Sequence, residues 1–259
     1  MINKLTLNKQ MYIDLDKIIQ VEKCPDIKDM IADSVDYIRH NCNIRTFDLE
    51  QNQIKDVWYA THVLDCDLKD NKKILKAELK HGVRSPYYVL ALREGGHNGY
   101  VYDSLNTNEV IWKSIRWRDE LKATFAPLIE YIESLPLKHI GHCSFFINRP
   151  DITPWYHVDS GQDKELESWK PQPHREEFIW INFDSDKTFY VLDGKNPVEI
   201  TSKSAFFNTN NYHGSHESTP RYTFSLRIEC VFSEELRQQM GIAHIERYYY
   251  ENDKQINME

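Results

Sequence analysis

Nowhere in the 259 residues do some 18 apolar residues run together as a membrane-spanning helix requires. The opening Met1-Ile2-Asn3-Lys4-Leu5-Thr6-Leu7 also lacks the long apolar stretch of a secretory leader. Cysteine is sparse and unpatterned. The five thiols, Cys24, Cys42, Cys66, Cys143 and Cys230, are scattered, odd in number and without a CxxC pair, which excludes a disulfide framework and a zinc knuckle. Reduced thiols and the missing leader together lead us to expect a cytoplasmic protein. An excess of positive charge is lacking too. The net charge is −8, and the densest basic run, Lys69 to Lys80, is interrupted by acids. Neither a nucleic acid nor an anionic membrane surface is therefore an expected partner, because counterion release rewards basic patches. There is no internal repeat and no low-complexity stretch.

What remains is a chain with 41% hydrophobic and 28% charged residues, the balance of a globular protein long enough to bury a core. Up to residue 136 the pattern reads mainly as helix. Pro25-Asp26-Ile27 opens a run with Ile27, Met30, Ile31, Val35 and Ile38 at three- and four-residue steps, predicting an amphipathic helix over 25–40. From Trp117 to Ser134, Leu121, Phe125, Leu128, Ile129 and Ile132 share one helical face, and Pro136 follows. Between these lies one strand pattern, Tyr87 to Leu92.

After Pro136 short β-rich runs separated by turn residues take over: His142–Asn148, Trp155–Asp159, Glu177–Phe183, Thr188–Leu192, Val198–Ile200, Ala205–Asn208 and Tyr222–Phe232. Asp193-Gly194 marks a hairpin, and Ser233 caps a short helix over Glu234 to Met240. The expected fold is α+β, with a β-sandwich or jelly roll over 137–232. The helical portion 1–136 would pack on its outside, and a helix and tail over 233–259 would close a single domain.

The chemistry concentrates in Trp155-Tyr156-His157-Val158-Asp159-Ser160-Gly161 and in Tyr212-His213-Gly214. Alternate residues of a strand point to one side, so His157 and Asp159 present an imidazole and a carboxylate together. Two imidazoles and one carboxylate on one face of an octahedral metal leave positions open for oxygen and a co-substrate. His213, at the exit of the Ala205–Asn208 strand, is the chosen third ligand over His216, which sits among turn residues. A co-substrate carboxylate calls for a guanidinium, whose planar fork pairs with it in bidentate fashion. Arg221 and Arg227 compete on the polar side of the last strand, and Arg221 is preferred as nearer the metal.

The run Pro154 to Gly161, then His174-Arg175, then Asn208 ahead of His213, then Arg221 resembles the Fe(II)/2-oxoglutarate-dependent dioxygenases. Within them it is most similar to the aspartyl/asparaginyl β-hydroxylase-like group, with its cis-proline hydroxylases. The resemblance covers about residues 137–232 and implies that they form a double-stranded β-helix, a cupin-like jelly roll. It implies Fe(II) held by His157, Asp159 and His213, with 2-oxoglutarate gripped by Arg221 and with Arg175, Arg227 and Asn208 as further co-substrate-binding candidates. It also implies consumption of O2, release of succinate, and hydroxylation of an aliphatic C–H in an amino acid, a peptide side chain or a related small molecule. Where the group continues Arg-x-His this chain has Arg175-Glu176-Glu177, so Glu177 is a candidate contact for a cationic part of the substrate. Two rivals use the same residues: a non-catalytic jelly-roll module binding a small ligand, and a zinc hydrolase with a His/Asp/His site.

Overall fold

The computed structural model describes residues 11–34, 43–48, 53–57, 87–94, 115–148, 156, 177–193, 196–207, 209, 212–215 and 217–242. Two antiparallel sheets dominate them. The larger takes strands from both halves of the chain: β1 (Tyr12–Asp14), β2 (Asn43–Asp48), β3 (Gln53–Val57), β4 (Tyr87–Glu94), β5 (Arg116–Trp117), β6 (Leu137–Asn148), β7 (Glu177–Asn182), β10 (Ser204–Phe207) and β12 (Thr223–Phe232). Its order is β1-β10-β7-β12-β6-β4-β2-β3, with β5 paired to β4. The smaller sheet is ordered β11-β8-β9, from β8 (Tyr190–Asp193), β9 (Asn196–Glu199) and β11 (His213–Gly214). The strand order breaks sequence order at nearly every step, which is how a jelly roll interleaves its two sheets.

Alternation along the strands sorts side chains between two faces of the large sheet. One carries Cys143, Phe145 and Ile147 of β6, Ile179 and Ile181 of β7, and Leu226, Ile228 and Cys230 of β12, all at or near zero exposure. Helices α2 (Asp119–Lys122) and α3 (Ala126–Ser134) cover this outer face. Phe125, in the turn between them, sets its ring 5.7 Å from that of Phe145. The opposite face presents Ser144, Phe146 and Asn148, Phe178, Trp180 and Asn182, Ala205 and Phe207, and Thr223, Ser225 and Arg227. It looks toward the small sheet, because Phe189, just ahead of β8, packs 5.1 Å from Trp180 and 5.5 Å from Phe207. Strand β7 is buried on both sides and correspondingly apolar.

Several expectations for the first half are corrected. The portion up to residue 136 is not mainly helical among the described residues, for β1 to β5 lie there and extend the large sheet. Strand β4 pairs with β6 and β1 with β10, which continues the sheet beyond both flanks of the roll. The helix predicted over 25–40 is described only as α1 (Lys28–Asp33), and 35–40 lie outside the described residues. The Trp117–Ser134 helix is two helices. Pro127, in the first turn of α3, lacks an amide N–H and starts a new helix instead of continuing α2.

The second half follows its pattern closely. The observed β6, β7, β8, β9, β10 and β12 fall within a few residues of the expected runs, and Asp193 pairs with Asn196 across the hairpin. Ser233 Oγ accepts from Leu236 N at 3.1 Å and caps α4 (Glu234–Gln239). Buried side chains from Leu15 to Ile242 form one continuous core. The three described thiols, Cys24, Cys143 and Cys230, are free and buried. Among the described residues no helix is long and apolar enough to cross a membrane.

Candidate functional site

His213 opens the two-residue strand β11, paired with Val191 of β8, and the backbone bond Leu192 N to Tyr212 O at 2.8 Å extends that pairing. Its imidazole is 3% exposed and stands between two aromatic rings, 5.4 Å from Phe207 and 6.0 Å from Phe189. The ring therefore lies between the sheets, against the inner face of the large one. Its wall is continuous: Phe207 meets Phe178 at 4.9 Å, and the guanidinium of Arg227 lies over Phe178 at 4.5 Å.

The motif around His157 and Asp159 is described at one residue only, Tyr156, which is in no strand. Burial raises the Tyr156 phenol, and nearby Tyr190 and Glu217 raise it further. Tyr156 thus lies within electrostatic reach of Tyr190 at the start of β8 and of Glu217 after β11. His157 and Asp159 themselves lie outside the described residues, as do Arg175, Asn208 and His216. Among the described residues no three His, Cys, Asp or Glu side chains come together.

The two competing arginines are separated plainly. Arg221 precedes β12, is 60% exposed, and pairs with Asp184 (Nη2 to Oδ1, 2.8 Å) and Asp186 (Nε to Oδ2, 3.1 Å). Arg227 stands on the inner face, in register with Trp180 and Ser144, with its Nε 3.4 Å from Glu229 Oε1. Strand β12 starts at Thr223, so Arg221 lies ahead of it, while Phe178 and Phe207 run from Arg227 toward His213 along the inner face of the large sheet.

Glu177 is corrected as a substrate contact. It is fully buried on the outer face, where it accepts from Arg237 Nε (2.9 Å), Arg237 Nη2 (3.1 Å) and Phe232 N (2.7 Å). Its bonds to Arg237 tie α4 to the sheet, and its bond from Phe232 N holds the end of β12.

One inner-face residue escaped the sequence reading. Lys187 is 6% exposed, and its Nζ donates to Asn148 Oδ1 at 2.9 Å and Ser225 Oγ at 2.6 Å. Burial lowers it to about 7, against a smaller opposing effect of Asp184. Asp184-Ser185-Asp186-Lys187 looks like a solvated turn. Stepping back two residues from Phe189 along the strand pattern was the available signal, since Lys187 and Phe189 both land on the inner face.

No protein-family model matches this sequence, and no curated protein matches it significantly. Loose superpositions are found among solved structures. An oxidoreductase of the 2OG-Fe(II) oxygenase family from Burkholderia pseudomallei is 14% identical at TM-score 0.30, over 62% of this chain and 76% of that one. A prolyl-4-hydroxylase from Pseudomonas putida is 12% identical at TM-score 0.28, over 79% and 99%. A prolyl hydroxylase from Trichoplax adhaerens, in complex with a hypoxia inducible factor peptide fragment, is 11% identical at TM-score 0.32, over 86% and 96%. Superposition at this level fixes neither family nor activity.

Proposed function

We propose that this chain is an Fe(II)- and 2-oxoglutarate-dependent oxygenase that hydroxylates an aliphatic C–H of an amino acid, a peptide side chain or a related small molecule. The observation that carries this reading is the placement of His213, buried between the two sheets within an aromatic wall that ends in Arg227. Tyr156, within electrostatic reach of Tyr190 and Glu217, is the described residue of the motif that is consistent with it.

His157, Asp159 and His213 are the residues that would hold the ion, and two imidazoles with one carboxylate suit ferrous iron with positions left open. When bound, that ion supplies oxygen activation coupled to decarboxylation of 2-oxoglutarate to succinate and carbon dioxide. The chain's own residues contribute orientation and shelter. Phe189, Phe207, Phe178 and Trp180 keep bulk water from the imidazole and strengthen every electrostatic contact beside it. Arg227, over the ring of Phe178 on the inner face and beside Glu229, is our candidate to orient the co-substrate's far carboxylate, with Arg221, 60% exposed and paired with Asp184 and Asp186, as the alternative. Arg175 and Asn208 stay proposed as further contacts on the co-substrate side.

A succinate-release screen over free amino acids and short peptides tests this. His213→Ala is expected to abolish coupled turnover. Arg227→Gln is expected to raise KM for 2-oxoglutarate by an order of magnitude or more, and Arg221→Ala to stay within about twofold of wild type. A fully active His213→Ala enzyme removes the metal centre. Loss with Arg221→Ala alone returns the clamp to that residue. Tight zinc binding with hydrolysis and no succinate would favour the hydrolase.

A further inference from the structure

The strand that carries His213 is too short to hold it in place by itself. Strand β11 has two residues, paired with Val191 and Tyr190 of β8. Gly214 follows the histidine with a φ of 148°, where residues with a side chain rarely go and where no side chain limits the backbone. Short, glycine-containing strands are weakly specified in register, and a slip of one residue would turn the imidazole to the other face. The rings beside it do not prevent a slip. Phe207 and Phe189 lie tilted at 52° and 38° to the imidazole, and apolar contact of this kind has no direction of its own.

Among the described residues, what fixes β11 is a bond on either side of the histidine. Ahead of it, Leu192 N donates to Tyr212 O at 2.8 Å. Behind it, Ser215, 3% exposed, places its Oγ 3.2 Å from Thr188 Oγ1. A consistent set of protons runs around this hydroxyl pair. Glu217 N donates to Ser215 Oγ at 3.3 Å, Ser215 O–H donates to Thr188 Oγ1, and Thr188 O–H donates to Glu217 Oε2 at 3.5 Å. Glu217 O, 3.3 Å from Ser215 Oγ, is a second acceptor for the serine. The ring of bonds joins the turn after β11 to the residue two ahead of β8. Thr188 also precedes Phe189, so one contact fixes both the histidine's strand and an aromatic ring packed 6.0 Å from the imidazole.

We propose that Ser215 and Thr188 are positioning residues for His213: their hydroxyl pair locks β11 onto β8 and so holds the imidazole where a divalent cation can use it. A metal ligand has to be kept within roughly 0.5 Å of its working position. Two ladder positions and a glycine leave more freedom than that, and the hydroxyl pair removes it. The role rests on the reading of His213 as a metal ligand, and it is the same for ferrous iron and for zinc.

The test separates position from stability and from turnover. In the metal-free protein the ring signals of His213, assigned by their loss in His213→Ala, are followed by NMR with isotope-labelled histidine. Co(II) is then titrated in and followed by visible absorption. Wild type is expected to show one sharp set of ring signals. Thr188→Val, near-isosteric but without a hydroxyl, and Ser215→Ala should each split or broaden that set. Both should lose about tenfold in Co(II) affinity, as expected when a partner that orients a metal ligand is removed. Thr188→Ser keeps the hydroxyl and should bring both readouts back to near wild type. A merely structural role would lower the denaturation midpoint and leave both readouts unmoved. Unmoved ring signals in Thr188→Val and Ser215→Ala overturn the proposal, as does a Thr188→Ser protein that behaves like Thr188→Val. Unchanged Co(II) affinity in a protein that binds the ion through His213 overturns the proposal and keeps the metal centre. Co(II) binding equal in wild type and His213→Ala overturns the metal centre and this role together.

Discussion

Two buried cations, Lys187 and Arg237, are held in opposite ways, and the difference is measurable. Arg237 forms a bidentate pair with the fully buried Glu177, whose remaining lone pairs accept from Phe232 N. Removing one partner of such a pair strands the other charge. Arg237→Met is expected to cost about 3–5 kcal/mol in urea denaturation. Lys187 has no such partner among the described residues and stands at about 7 in the folded protein, against roughly 10.4 for an unfolded lysine. Below pH 7 both states carry the proton and the folded state bears the full penalty of burying it. Between about 7 and 10.4 the unfolded state binds more protons, so stability rises with pH by up to about 1.4 kcal/mol per unit. Denaturation at pH 7 and pH 9 should show that rise in wild type and its absence in Lys187→Met, which is expected to be the more stable protein at pH 7.

Strands and helices were legible where one physical signal dominated. The alternation Thr223, Ser225, Arg227 against Phe224, Leu226, Ile228 fixed which side of β12 is polar, and the structure turns that side inward. The Ser233 cap was legible from residue type alone, and Ser233→Ala is expected to cost about 1 kcal/mol by denaturation. The distinction between Arg221 and Arg227 was not legible, because it depends on where the strand starts and on partners at Asp184 and Asp186 that only the folded loop brings close. Lys187 was hidden for a related reason, as its acidic neighbours mask it in sequence. The first half misled because local helical spacing says nothing of sheet edges left open by β6 and β10, which β4 and β1 cover. Phe207 belongs to the same scale, since it supports Phe178, Phe189 and His213 together. Phe207→Ala should lose about 3–5 kcal/mol and loosen the imidazole with it.

At the scale of the molecule, the large sheet has a helix-covered outer face and an aromatic inner face, and the proposed chemistry belongs to the inner one. The outer side holds apolar residues and the Glu177–Arg237 tie, and the inner side holds His213, Arg227 and Lys187. Two sheets facing each other shield that interior more fully than a surface cleft would, as a reactive intermediate requires. The central claim is that this interior holds one ferrous ion in chelation with 2-oxoglutarate. The most direct measurement is anaerobic addition of Fe(II) and 2-oxoglutarate to the metal-free protein, followed by visible absorption. A weak charge-transfer band is expected in wild type and should disappear in His213→Ala and His157→Ala. No band in wild type, or a band that survives loss of either histidine, would contradict it.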